Sequence, residues 1–178
     1  SSDCLVREGE ILWRSDTVAS AEHRRHRPLV WQVGHPCPEV VRVLQAWVCT
    51  YLPDYTGICN LETIGGQVSE VHLRGSNGFL ELYPDGFVAA WAELVDSGRW
   101  PGLEPMGEGY VLSLFTDEEG VVDLAADEAR ALAPPGVLVD LDLDPERRPS
   151  NGRIAVVRTR DRAAGEEALA RLRARVGH

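Results

Sequence analysis

Hydrophobic residues recur at helical spacing in four segments of the chain. The clearest segment is 38–52, where Pro38 suits the first turn of a helix, Pro53 ends it, and one face is apolar. The other predicted helices cover 85–95, 125–133 and 165–176. In the second helix, the residues expected to face the core are Phe87, Val88, Trp91, Leu94 and Val95.

Shorter apolar or alternating runs, bounded by Gly, Pro and charged residues, predict strands. These strands cover 4–6, 10–14, 29–33, 57–64, 67–73, 110–116, 137–143 and 153–158. The polar stretch 15–28 shows no clear period, so a loop is predicted there. The pattern as a whole predicts an α+β fold, with a mostly antiparallel sheet packed by about four helices. One domain is expected over 1–178, with a subdivision near 100–109 left open.

Charge narrows the range of functions. The net charge of −10 argues against a nucleic-acid partner or an anionic membrane surface, since both bind basic patches. All 18 basic residues are Arg, so the chain offers no lysine for a Schiff base or a phosphate-binding loop. No run of apolar residues is long enough to span a membrane, which predicts a soluble protein.

The cysteines and the first residues bear on processing and location. The spacings of Cys4, Cys37, Cys49 and Cys59 match no zinc or redox pattern. Cys49 and Cys59 lie in apolar segments, so buried, reduced thiols and a cytoplasmic location are expected. The chain begins Ser1-Ser2 without Met, so a trimmed, processed or excised chain is expected.

The segment 57–74 carries the most informative chemistry. Two strands around Gly65-Gly66 predict a hairpin whose turn needs positive φ. The two strands together carry an amide, two carboxylates, an imidazole and a guanidinium, from Asn60, Glu62, Glu70, His72 and Arg74. Because Mg²⁺ binds a few carboxylates and takes phosphate oxygens as further ligands, the hairpin predicts a site for a metal-bound nucleotide.

The register of this hairpin decides whether its polar groups can act together. A two-residue turn at Gly65-Gly66 sets Glu62 opposite Ser69, and Glu70 then lies on the other face. A three-residue loop that includes Gln67 sets Glu62 opposite Glu70. The metal-site interpretation requires the second register.

The hairpin resembles the metal-binding hairpin of the ATP-grasp superfamily, in its C-terminal part. Glu70-Val71-His72-Leu73-Arg74 matches a Glu-x-Asn-x-Arg run of that family, with His72 in the place of Asn. The resemblance implies that Glu62 and Glu70 hold Mg²⁺ between the ATP phosphates, with Asn60 as a less favoured ligand on the first strand. It also implies that Arg74 faces phosphate or acyl-phosphate oxygens. His72 departs from the family because imidazole is a poorer Mg²⁺ ligand than an amide oxygen.

Three functions remain open on the sequence. The first is a non-catalytic ATP-grasp-like domain, a pseudoenzyme, with a structural or protein-interaction role in a larger assembly or processed precursor. No cofactor is then expected for the isolated chain, because a glycine-rich loop and phosphate-binding lysines normally come from the preceding part of such enzymes. The second is half of an active carboxylate-amine or carboxylate-thiol ligase whose Mg-ATP site another chain completes. The third is an unrelated α+β binding protein.

Overall fold

The computed structural model describes residues 1–24, 27–35, 37–76, 78–116, 123–142 and 152–177. The described strands and helices are, in chain order, β1 (Ser2–Arg7), β2 (Glu10–Ala19), β3 (His23–Arg24), β4 (Arg27–Pro28), β5 (Val30–Val33), α1 (Pro38–Tyr51), β6 (Gly57–Ile64), β7 (Gln67–His72), α2 (Phe87–Ser97), β8 (Gly109–Phe115), α3 (Ala126–Ala131), β9 (Leu138–Leu141), β10 (Arg153–Thr159) and α4 (Arg162–Arg175). The predicted α+β class, with antiparallel strands and four helices, is confirmed for this part of the chain. None of these helices has the length and apolar character needed to cross a bilayer.

The chain divides into two compact units. The first consists of Ser1–Val18 and Gly34–Gly107, and the second of Ala19–Val33 and Glu108–His178. The expectation of a single domain over 1–178 stays a prediction.

The first unit is built on four antiparallel strands in the order β7-β6-β1-β2. One face of these strands packs against α1, through a buried apolar cluster of Cys4, Val6, Leu44, Val48, Cys59 and Leu61. Because side chains alternate along a strand, the neighbouring residues of β1 and β6 point to the opposite face. That opposite face carries Asp3, Asn60 and Glu62.

The second unit combines β5, β8, β10 and β9 in that order with α3 and α4. Asp161 caps α4, since its carboxylate accepts hydrogen bonds from the backbone N–H groups of Ala163 and Ala164 at 2.9 and 3.3 Å. The helix therefore begins at Arg162, ahead of the predicted start at 165. Position 165 of this helix favours glycine, because a Cβ there would lie only 2.8 Å from side-chain atoms of Leu112 and Thr159.

Three local predictions fail. The predicted loop 15–28 is wrong, because β2 continues to Ala19 and β3 pairs with β4. Ser15, Asp16 and Thr17 of β2 are buried there, and the Asp16 carboxylate accepts a hydrogen bond from the Ser2 hydroxyl at 2.7 Å. In α2, Val88 and Val95 are exposed, because a narrow stripe of Phe87, Ala90 and Leu94 packs inward.

The third failure concerns a cysteine. Cys49 lies on the exposed side of α1, whereas Cys59 is buried as predicted. The helical face that packs is centred on Leu44 and Val48, and Cys49 lies just outside it.

The predicted strand 137–143 corresponds to β9, and its last residue, Leu143, lies outside the described residues.

Candidate metal site on the β6–β7 hairpin

The turn between β6 and β7 has two residues, Gly65 and Gly66, both with positive φ (58° and 77°). Ile64 pairs with Gln67 and Thr63 pairs with Val68, as expected for a two-residue turn. The register then shifts between Glu62 and Thr63. The turn is therefore the shorter of the two that the sequence allows.

A β-bulge nevertheless produces the register that a metal site requires. Beyond the shift, Glu62 pairs with Glu70 and Asn60 pairs with His72, so Ser69 is the extra residue of β7. The Ser69 hydroxyl donates to the carbonyl oxygen of Glu62 at 3.1 Å, across the bulge. Loop length alone therefore does not predict the register, because a bulge in β7 also aligns the two glutamates.

The reason for the bulge lies on the other face of the sheet. Val68 and Val71 both pack against the apolar cluster beneath α1. Residues three apart in a regular strand point to opposite faces, so one extra residue between them is needed to bury both. The same shift turns Glu70 and His72 away from the core. Val68 and Val71 lie an odd number of positions apart, and this spacing is a sequence signal that predicts the bulge.

The bulge brings three potential metal ligands together. The ligand atoms of Glu62, Glu70 and His72 all lie within 4.8 Å of one another. His72 Nε2 lies 3.2 Å from Glu70 Oε1. The two glutamates are exposed and His72 is half-buried. Two carboxylates and an imidazole open to solvent are a suitable donor set for a divalent cation that keeps several waters.

Asn60, in contrast, belongs to a buried network on the same face. Its Nδ2 donates to Asp3 Oδ1 at 2.8 Å, and it also lies within hydrogen-bonding distance of the Ser1 and Ser76 hydroxyls. The Asn60 side chain is thus held by Asp3, its partner on β1. Asn60 pairs with His72 in the backbone register, but its amide nitrogen is bound to Asp3 and not to the glutamates.

Asp3 is the centre of this network, and sequence reasoning missed it. The carboxylate is 2% exposed and accepts hydrogen bonds from the Ser76 backbone N–H and hydroxyl at 3.0 and 2.9 Å. The Tyr83 hydroxyl also donates to it. Burial and then the neighbouring Asp3 carboxylate raise the pKa of the Tyr83 phenol above its usual range.

Arg74 lies just beyond the end of β7, in an exposed segment. Its guanidinium donates to the carbonyl oxygen of Gly75 at 3.1 Å. The chain is fixed two residues later, where Ser76 binds Asp3. Arg74 is therefore an exposed cation next to an anchored backbone, and its contact lies within its own segment.

No protein-family model and no curated protein sequence matches the chain. Solved structures do share its fold. One is N5-carboxyaminoimidazole ribonucleotide synthetase from Thermus thermophilus, with a TM-score of 0.58, 16% identity, 99% of this chain covered and 50% of that one. Another is the phosphoribosylaminoimidazole carboxylase ATPase subunit from Aquifex aeolicus, with a TM-score of 0.57, 12% identity, and 96% and 56% covered.

A third is phosphoribosylamine–glycine ligase from Thermotoga maritima, with a TM-score of 0.51, 16% identity, and 98% and 51% covered. All three are ATP-grasp proteins, which confirms the resemblance to that superfamily at the level of the fold. The chain spans about half the length of these solved structures. A fold alone does not establish an activity.

Proposed function

We propose that this chain supplies the cation-binding hairpin of an ATP-dependent ligase of the ATP-grasp type. Glu62 and Glu70 would hold the divalent cation that accompanies the nucleotide. The observation that carries this proposal is the bulge-dependent register, which gathers the ligand atoms of Glu62, Glu70 and His72 within 4.8 Å. The names of the similar structures, a synthetase and a ligase among them, support it.

The reaction class follows from the chemistry of such a site. A cation held there would offset the charge of the phosphoryl group that ATP transfers to a carboxylate substrate, which would give an acyl phosphate and ADP. An amine or a thiol would then attack the acyl carbon, and inorganic phosphate would leave as the amide or thioester forms. Arg74 is an exposed guanidinium on the segment after β7, and it pairs with phosphate or acyl-phosphate oxygens in this proposal.

The site needs more polypeptide than the sequence provides. The similar structures are about twice as long as this chain. The chain contains no lysine, so it supplies none to contact phosphate. We propose that the remaining nucleotide contacts come from another polypeptide segment, in the same protein or in a partner. Closure of that segment over the hairpin would exclude water from the acyl phosphate.

A second candidate is the non-catalytic domain with a role in an assembly. The observation that favours it is the apolar surface of the same hairpin, where Ile64 is 76% and Leu73 60% exposed. Exposed apolar side chains beside the hairpin could be covered by a partner protein in an assembly, or equally by the segment proposed to close over the site. The third interpretation, a chance resemblance of the hairpin, is disfavoured by a fold likeness over nearly the whole chain.

Calorimetric titration with ATP and Mg²⁺ or Mn²⁺ separates the two candidates. The key variant is Glu62→Ala/Glu70→Ala. The matched control is Asp54→Ala/Asp96→Ala, which removes two exposed carboxylates elsewhere in the same unit. The proposal expects metal-dependent nucleotide binding that the first double variant abolishes and the control retains.

Two results would count against the ligase proposal. One is the absence of heat with either cation at high nucleotide concentration, which would favour the non-catalytic role. The other is equal binding by the wild type and by Glu62→Ala/Glu70→Ala, which would place the nucleotide elsewhere.

A further inference from the structure

The third donor on the hairpin is a nitrogen atom, and this bears on which cation the site selects. The Asn60 side chain is held on the same face by its amide nitrogen, which donates to Asp3 Oδ1 at 2.8 Å. The group that stands beside the two carboxylates is the His72 imidazole, with Nε2 at 3.2 Å from Glu70 Oε1.

The spacing of these atoms fits neighbouring ligands of one ion. In an octahedral site with bonds of about 2.1 Å, adjacent ligand atoms lie about 3.0 Å apart and opposite ones about 4.2 Å apart. The Nε2–Oε1 distance of 3.2 Å is close to the first value, and the outer limit of 4.8 Å for the cluster is close to the second. Only small side-chain adjustments would therefore place one ion within reach of all three groups.

The imidazole is held in place by the fold. His72 is the last residue of β7, and its backbone pairs with that of Asn60. Its side chain is 28% exposed, compared with 57% for Glu70. Holding the ring next to the carboxylates lowers the entropic cost of adding it to a coordination shell.

We infer that this hairpin binds a first-row transition-metal dication, with Mn²⁺ as its probe, in preference to Mg²⁺. The inference rests on the proposed function, because it concerns the cation of the same site. Mg²⁺ prefers oxygen ligands and retains its waters, whereas imidazole is a good ligand for transition-metal ions. Mn²⁺ accepts carboxylate, water and imidazole together, so His72 adds to its affinity and contributes little to that of Mg²⁺.

The test is a metal titration without nucleotide. Binding of Mn²⁺ to the full 178-residue chain is followed through the paramagnetic resonance signal of free Mn²⁺, and Mg²⁺ is then added as a competitor. The variant is His72→Asn, which replaces the imidazole with an amide. The matched control is His23→Asn, an exposed histidine in the other unit. A third variant is Glu62→Gln/Glu70→Gln.

The inference expects Mn²⁺ to bind at least about tenfold more tightly than Mg²⁺. His72→Asn is expected to weaken Mn²⁺ binding by about tenfold and to change Mg²⁺ binding by less than about threefold, while His23→Asn changes neither. Equal competition by Mg²⁺, or unchanged Mn²⁺ affinity in His72→Asn, would overturn the inference.

The glutamate variant distinguishes this failure from a failure of the proposed function. If Glu62→Gln/Glu70→Gln abolishes binding of both cations while His72→Asn has no effect, the carboxylate site stands and the selectivity inference is wrong. If the glutamate variant binds both cations as well as the wild type does, the proposed function and the inference fail together.

Discussion

The single carboxylate of Asp3 and the pair of carboxylates of Glu62 and Glu70 lie on one face of the sheet in the first unit. Asp3 is buried, and it accepts hydrogen bonds from an amide, a backbone N–H and hydroxyls. Glu62 and Glu70 are exposed and lie beside each other, with an imidazole as their neighbour. A carboxylate surrounded by donors serves the fold, whereas converging acceptors open to solvent are suited to a cation. The partners of a carboxylate, rather than its residue type, separate the two roles.

The largest effect is expected for Asp3→Ala. The substitution removes the acceptor of the Ser76 N–H and of the buried Tyr83 hydroxyl, and one acceptor of the buried Asn60 amide. The free energy of unfolding should fall by about 3 kcal/mol or more, since each such group costs about 1–3 kcal/mol. Urea unfolding followed by tryptophan fluorescence measures this free energy. The control is Asp96→Ala, which removes an exposed carboxylate. A loss below about 1 kcal/mol would contradict the structural role of Asp3.

A smaller loss is expected for Tyr83→Phe, which removes one hydrogen bond to the Asp3 carboxylate. The free energy of unfolding should fall by about 2 kcal/mol near neutral pH, as for other hydrogen bonds to charged groups. The same variant should also change the response to alkaline pH, because burial raises the pKa of the Tyr83 phenol in the folded state.

The sign of this pH effect follows from linkage. Above the ordinary tyrosine pKa of about 10, the unfolded chain loses the phenol proton while the folded chain retains it. Stability is therefore present in full below about pH 10 and falls as the pH rises further. Unfolding of the wild type and of Tyr83→Phe between about pH 9 and 11 tests this, and the wild type should lose more stability. If the free energies of unfolding of the two proteins fall equally with rising pH, the pKa of the Tyr83 phenol is not raised by folding.

Deletion of Ser69 should change stability by at most about 1 kcal/mol and preserve cation binding. Without Ser69, Val68 and Val71 fall two apart, so a regular strand still buries both and still sets Glu62 opposite Glu70. Mn²⁺ affinity should stay within about threefold of the wild type. Ser69→Ala, which keeps the bulge and loses the hydroxyl, is the control. Loss of binding in the deletion alone would indicate that the bulge itself shapes the site.

The smallest change in stability is expected for Glu62→Gln/Glu70→Gln, in contrast to Asp3→Ala. Both side chains are exposed, so the free energy of unfolding should change by no more than about 0.5 kcal/mol. Binding of a divalent cation should nevertheless be lost. Unfolding and metal titration of the same sample measure both quantities. A large loss of stability would assign the glutamates to the fold and remove the contrast with Asp3.

The sequence by itself determined the elements whose signals are local. Pro38 and Pro53 delimit α1, and Gly65-Gly66 marks the position of the hairpin turn, where both residues take a positive φ. The spacing of Glu70, His72 and Arg74 supported a resemblance to the ATP-grasp superfamily, and the solved structures show a likeness to that fold. These features depend on residues within a few positions of one another.

Only the tertiary structure decided which polar groups meet. The hydrogen-bond partners of Asp3 lie 57, 73 and 80 residues away in the sequence, so no local pattern predicts the network. The stretch 15–28 looked like a loop because it is polar, yet its first part becomes a strand that pairs with β1, and its Asp16 carboxylate accepts a hydrogen bond from Ser2 of β1. The hairpin register was open in the sequence. Burial of Val68 and Val71 against α1 determined it, because the free energy of covering that core exceeds any preference of the exposed glutamates.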